Sequence, residues 1–325
     1  MQAKLSRRTF VKDVAVAAVA AGTSSIGSVR AGAAAARIPC GCRDGHLSLA
    51  GKPDAWANMK ALGAECIESV VEMNMVCPNL TYAGGKHTLD TEDNVRRLKD
   101  DLAASGCRIT AFAMGNRFDE RLEAELEWAR KLVKAADRLG VDAIRIDVWP
   151  RKLSQEEFLP FAIKTCKALC EMTEGTRVKF GIENHGKTTN NPEFLDKVFE
   201  GVGSPRLGLT LDVGNFYWYG HPLNQLYPIY EKYAGRVFHT HCKNIRYPDE
   251  KQNAPREMGW GYDKYCCPIY DGDISYERLI GILHKAHYQG GLCIENESLS
   301  RFPESERAGI VQKEIELLKK LRDAG

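Results

Sequence analysis

Four short apolar segments of this 325-residue chain end alike, each on side chains able to bind a metal ion. They are G-I-E-N at Glu183, L-D-V-G at Asp212, H-T-H-C-K-N at His239 and His241, and C-I-E-N-E at Glu295. Side chains of an extended strand alternate between its two faces. Val178, Phe180 and Ile182 therefore share one face, while Lys179, Gly181 and Glu183 share the other. Leu207, Leu209 and Leu211 oppose Gly208, Thr210 and Asp212 in the same way. Leu292 and Ile294 oppose Gly291, Cys293 and Glu295. Each carboxylate thus sits at its strand's end, on the face of the small or polar residues. A closed parallel barrel would present ligands from separate strands to one point in this manner.

Around these segments the chain repeats a short apolar strand, a loop and a longer helix. Strands are expected over residues 38–42, 66–71, 108–114, 143–148, 178–183, 207–212, 237–241 and 291–295. Helices are expected over 53–62, 91–104, 121–139, 155–172, 192–200, 222–233, 276–287 and 304–321. Gly63, Gly106, Gly140 and Gly290 stand where helices should stop. Thr91 and Ser154 precede acidic first turns, as N-caps do. Eight such units suit an α/β fold of the (β/α)8 TIM barrel type over residues 37–325. A doubly wound open sheet would carry a Gly-rich phosphate loop after its first strand, and none is present. The one long irregular stretch, 244–275, is rich in Gly, Pro, Tyr and Trp, which points to an ordered lid.

Residues 1–36 read as an address. Ser6-Arg7-Arg8-Thr9-Phe10-Val11-Lys12 resembles the twin-arginine export consensus. An Ala-rich stretch from Val14 to Gly22 follows, too short to span a bilayer, and then an A-x-A-like site at Ala34-Ala35-Ala36. The expected destination is the periplasm or another exported location, reached by an already folded chain, with no membrane attachment after cleavage. The leader holds Lys4, Arg7, Arg8, Lys12 and Arg30 against Asp13, so a chain of net charge +2 becomes −2 without it. That balance gives no footprint for nucleic acid. The eleven cysteines include no C-x-x-C pair, and several lie in apolar patterns where Cys is a small core residue. Export permits disulfides without deciding whether they form.

In order along the chain, I-E-N-H-G, L-D-V-G-N, H-T-H-C-K-N and I-E-N-E resemble the motifs of the xylose isomerase-like TIM barrel superfamily. That superfamily holds sugar phosphate isomerase/epimerase proteins, ketose 3-epimerases, inosose-processing enzymes and endonuclease IV. The resemblance implies a metal site of Glu183, Asp212, His241 and Glu295, and an acid–base pair of Glu183 and Glu295 that removes and returns a proton. The H-x-K-N segment is similar to the family's H-x-K-D, which makes His241 the ligand and His239 a lining group. Asn244 departs from that pattern, since the family has Asp there. Glu297 shares the parity of Glu295 and competes with it as the ligand. Independently of the resemblance, three carboxylates and one imidazole form an oxygen-rich donor set suited to one Mn2+, Mg2+ or Co2+ ion, with Zn2+ a further candidate.

His185, Asn215, Lys243 and Arg246 are the candidate substrate-binding residues. Arg145 and Asp147 share the inward parity of the fourth strand, as a barrel ion pair or as part of the site. Trp149, Trp218, Trp260 and Tyr262 are candidates to stack on a sugar ring. The expected activity is a divalent-metal-dependent sugar isomerase or epimerase acting by proton abstraction next to a carbonyl. Its partner is a small-molecule carbohydrate, free or oxidised rather than phosphorylated because of the export signal. The same step becomes a lyase or dehydratase reaction when a leaving group occupies the next carbon. A metal hydrolase like endonuclease IV would need further His ligands at strand ends, where His46, His87, His221, His284 and His287 do not fall. Assembly into a homo-oligomer is left open.

Overall fold

The computed structural model describes residues 37–324. The export signal and cleavage site read from residues 1–36 lie outside the described residues. Eight parallel strands form the barrel: β1 (Cys40–Arg43), β2 (Cys66–Val70), β3 (Ile109–Ala113), β4 (Ala143–Ile146), β5 (Lys179–Glu183), β6 (Leu207–Asp212), β7 (Val237–Cys242) and β8 (Leu292–Ile294). Each bonds its sequence neighbours, and β8 bonds β1, so the cylinder closes. Eight principal helices alternate with them: α1 (Ala55–Leu62), α2 (Glu92–Ser105), α3 (Phe118–Leu139), α4 (Gln155–Met172), α5 (Pro192–Val202), α6 (Leu223–Tyr233), α7 (Tyr276–Lys285) and α8 (Glu304–Ala324).

The bulky alternate residues of the strands face outward and are sealed by the helices. Ile67, Ile144, Phe180, Leu209, Leu211 and Ile294 are all fully buried. Burial of each such side chain is worth about 1.5–3 kcal/mol. Small residues on the inward face let strands and side chains approach. A Cβ on Gly181 would lie 2.5 Å from Thr210 Oγ1, and one on Gly208 would lie 2.1 Å from the Arg236 carbonyl oxygen. The upper interior is ionic instead, with Glu68, His239, His241, Glu183 and Asp212 buried inside the ring.

Helix starts and stops follow the sequence cues. The Thr91 hydroxyl accepts from the Asn94 amide at 3.2 Å, and Ser154 with Glu157 forms a capping box. Gly63, Gly106 and Gly140 end α1, α2 and α3 in the left-handed region. Three details differ from expectation. The left-handed turn after α7 falls on His287 (φ 56°), so the helix stops at Lys285 rather than running to 287. α3 begins at Phe118 and breaks at Arg121, whose dihedrals are not helical. An antiparallel hairpin, Val76–Tyr82 with Gly85–Thr88, follows β2. It was not anticipated because Pro78 argues against a strand. The proline is accommodated where the hairpin's register shifts, between Val76 and Thr81.

The stretch after β7 is ordered, as its aromatics suggested. Asn244–Ile245 pairs with Cys266–Cys267, and short helices span Asp249–Gln252 and Tyr262–Tyr265. Tyr217 packs on Tyr247 (4.9 Å between centroids) and Trp260 stacks on Tyr265 (5.5 Å). All eleven cysteines are free thiols. Among the described residues, no helix is long and apolar enough to cross a membrane.

Candidate metal centre

Parallel register brings the four strand ends together. Asp212 pairs with His241 across β6 and β7, and His241 with Cys293 across β7 and β8. Glu183 closes β5, and Glu295 follows β8 directly. One donor atom from each of Glu183, Asp212, His241 and Glu295 lies within 4.8 Å of the others, and all four residues are buried. Glu297 is exposed and outside this group; it accepts from the Tyr262 hydroxyl. Geometry therefore selects Glu295 of the two glutamates.

Each ligand candidate is aimed by a second contact. Asp212 Oδ1 accepts the amides of Gly214 and Asn215, both at 2.9 Å, which turns Oδ2 into the cluster. Asn184 holds the β6 end, donating to the Asp212 carbonyl and accepting its amide, each at 2.8 Å. His241 Nδ1 lies 3.2 Å from Glu183 Oε1 and 3.3 Å from Glu295 Oε2. On the far side of the ring, Nε2 lies 2.7 Å from Glu68 Oε2.

Three cations frame the carboxylates. Arg145 donates from Nε to Glu183 Oε2 at 2.6 Å and grips Asp147 through two nitrogens at 2.8 and 2.9 Å. Arg43 pairs with Glu295 and, at 2.9 Å, with Glu68. Lys243 Nζ lies 2.8 Å from Asp212 Oδ2 and 3.3 Å from both Glu295 and Glu297. Asp212 Oδ2 and Glu295 Oε2 thus share the Lys243 ammonium. Three buried carboxylates and one imidazole nitrogen within reach of one another form an oxygen-rich donor set that fits a divalent ion.

The electrostatics divide the acids. Burial pushes Asp212 up to about 8; Lys243 opposes this, and the Glu295 and Glu183 charges add to it. Burial also works to raise Glu183, but Arg145 and His241 outweigh it and hold that carboxyl below the usual range. Glu295 is likewise held well down, against burial, by His241, Lys243 and Arg43. Lys243 stays an ammonium despite its burial because Asp212 and Glu295 face it. His185, half-exposed at the rim, is raised by its contact with Asp147, 3.3 Å away.

The other candidates are distributed as follows. Lys243 and His185 adjoin the cluster. Asn215 is buried below it, its amide donating to the Asn184 carbonyl at 2.8 Å, so the side chain braces the loop. Arg246 is exposed and donates to the Asp271 carbonyl at 3.2 Å, inside the lid. Trp149 carries the Arg151 guanidinium on its face at 4.0 Å and meets His185 edge-on. Trp260 is committed to packing with Tyr247 and Tyr265. Arg43, Glu68 and Asn184 were not foreseen. For the first two the inward parity was legible, since Gly41 and Arg43 alternate with Cys40 and Cys42, and Cys66 and Glu68 flank Ile67. A separate cavity of about 690 Å3, at the amino-terminal mouth, is lined by Arg108, Arg177, Lys179 and Arg206 and touches none of these ligands.

A family profile described as xylose isomerase-like TIM barrel matches residues 56–321. The chain is 25% identical over 267 residues to an inosose dehydratase of Clostridium tetani, covering 75% of this chain and 88% of that protein. Among solved structures, a xylose isomerase-like TIM barrel protein from Mycobacterium smegmatis in complex with magnesium superposes with a TM-score of 0.64 at 15% identity, over 90% of this chain and 99% of that one. An IOLI protein with a bound zinc atom superposes with a TM-score of 0.60 at 15% identity, over 87% and 99%.

Proposed function

Since this chain belongs to the xylose isomerase-like TIM barrel family, we propose that it is a divalent-metal-dependent isomerase or epimerase that removes a proton next to the carbonyl of a carbohydrate or oxidised carbohydrate. The observation that carries this reading is the convergence of Glu183, Asp212, His241 and Glu295, three buried carboxylates and one imidazole whose donor atoms lie within 4.8 Å of one another. These four residues would hold one Mn2+, Mg2+ or Co2+ ion, with Zn2+ also matched by the donors. When bound, the ion supplies Lewis-acid stabilisation of negative charge on the substrate's carbonyl oxygen.

The chain's own groups supply the rest. Glu183 and Glu295 are both held as carboxylates and stand on different strands of the ring. One takes the proton from carbon and passes it to solvent water; the other takes a proton from solvent and gives it to carbon on the opposite face. Arg145 engages Oε2 of Glu183 and leaves Oε1 facing the cluster. Lys243 and His185 offer N–H donors to substrate oxygens. The leader-like residues 1–36 support an exported enzyme meeting an unphosphorylated substrate.

A second reading, elimination, is favoured by Lys243, a buried ammonium beside Asp212 and Glu295. After proton removal from carbon, the adjacent C–O bond breaks and the departing oxygen takes the Lys243 proton. The likeness to an inosose dehydratase is consistent with that outcome. Hydrolysis of the endonuclease IV type is disfavoured, because none of His46, His87, His221, His284 and His287 joins a ligand group among the described residues.

The test is turnover of keto-sugars and ketosides in deuterated water with Mn2+ or Co2+, followed by NMR. Deuterium beside the carbonyl of recovered substrate or product is expected. Product formed over many turnovers with no label at that carbon would refute proton abstraction. A dehydrated product would select elimination over isomerisation.

A further inference from the structure

We infer that Glu68 is the positioning residue that orients His241 toward the metal centre and fixes which of its nitrogens carries the proton. This rests on the proposed cation at Glu183, Asp212, His241 and Glu295, and adds a residue from the opposite side of the barrel. Glu68 lies on β2, fully buried, where a carboxylate is rarely found unless paired. Its partners are specific. Oε2 sits 2.7 Å from His241 Nε2 and 3.1 Å from His239 Nε2, while Oε1 meets Arg43 Nε at 2.9 Å.

The two nitrogens of His241 face different things. Nδ1 points among the three acids; Nε2 points at Glu68. An ionised carboxylate only accepts hydrogen bonds, so a neutral His241 must place its proton on Nε2. Its lone pair is then left on Nδ1, toward the cation. A ligating imidazole whose other N–H is held by a carboxylate is fixed in orientation and made more basic. Glu68 also holds Arg43, which reaches across to Glu295. One buried side chain thus restrains both the imidazole ligand and the guanidinium on a neighbouring carboxylate. His239 closes the arrangement from below, its ring perpendicular to that of His241 at 5.6 Å.

Glu68, His239 and His241 also lie close enough to be read as a second cation site. Arg43 argues against that, since its guanidinium already supplies a positive charge to Glu68 at 2.9 Å.

The experiment measures ion stoichiometry and affinity in metal-free full-length protein and in Glu68→Gln, by competition of Co2+ and Zn2+ with a chromogenic chelator. Circular dichroism and melting of the metal-free proteins serve as the check on folding. The parent should bind one ion, and Glu68→Gln should still bind one, roughly 10–100-fold more weakly. In parallel, long-range 1H–15N spectra of the Zn2+-loaded parent should show His241 protonated at Nε2. That second readout stands even if the variant fails to fold. Equal affinity in the variant, or a proton on Nδ1, overturns the assignment while leaving the proposed activity intact. Two ions in the parent falling to one in the variant would make Glu68 a ligand and also overturn it. A parent that binds no ion overturns the functional reading and this one together.

Discussion

Replacing Glu314 with Gln should make the protein more stable at alkaline pH and change little in acid. Glu314 is on α8, fully buried, and its Oε1 accepts the Ile269 amide at 2.8 Å. Burial pushes its carboxyl up from the ordinary 4.5 to about 7, against the pull of Asn296 and the Ile269 amide. A carboxyl raised on folding binds its proton more tightly in the native state. The resulting stability is fully present below about pH 4.5 and is lost as pH rises through about 7. At about 1.4 kcal/mol for each pH unit of that interval, the native protein forfeits about 3 kcal/mol. Gln has the same shape, keeps a carbonyl for Ile269 and never ionises. Urea unfolding of both proteins at pH 5 and pH 8.5 isolates this residue, because every other titration cancels in the difference. The variant should gain up to about 3 kcal/mol over the parent at pH 8.5, and under about 1 kcal/mol at pH 5. A parent–variant difference that is the same at both pH values would refute the reasoning.

Three further outcomes are expected. Glu183→Gln and Glu295→Gln should each lower kcat roughly 100-fold to 10,000-fold with the far-ultraviolet spectrum unchanged; parental turnover in either would remove that residue from the acid–base pair. Arg145→Met leaves Asp147 and Glu183 buried without their shared counter-charge, and should cost about 3–5 kcal/mol in denaturant unfolding. Gly208→Ala drives a methyl to 2.1 Å from the Arg236 carbonyl oxygen, and should yield no soluble, cooperatively melting protein, where an exposed Gly45→Ala control does.

The barrel was legible because alternation survives in each strand without an alignment. Val178, Phe180 and Ile182 had to face helices, and the opposite set had to face the axis, whatever the rest of the chain did. The ligand cluster followed from the same parity plus the chemical identity of the terminal residues. Arg43 and Glu68 carried that parity too, yet as register partners on neighbouring strands, 2.9 Å apart, they read as an ordinary ion pair until the closed ring sets Glu68 Oε2 2.7 Å from His241 Nε2. Pairing across the axis depends on register and circumference, which local pattern does not encode. The hairpin at Val76–Thr88 went unseen for a different reason. Pro78 breaks the strand signal, and only the register shift opposite Lys86 and Thr88 makes room for it. Arg246 is engaged within the lid itself. The Asn244–Ile245 pairing with Cys266–Cys267 turns the lid, and the guanidinium settles on Asp271.

Closure of the cylinder has a consequence for how the site is assembled. Cys40, Gly41 and Cys42 pair with Leu292, Cys293 and Ile294, so the seam joins the first strand of the ring to the last. Without that seam the sheet has two open edges, one of them on β8, the strand that leads into Glu295. Because β8 bonds both β7 and β1, the strand that sets Glu295 beside His241 is also the one that closes the ring. An ion held by the four side chains would therefore favour the closed form over the open one.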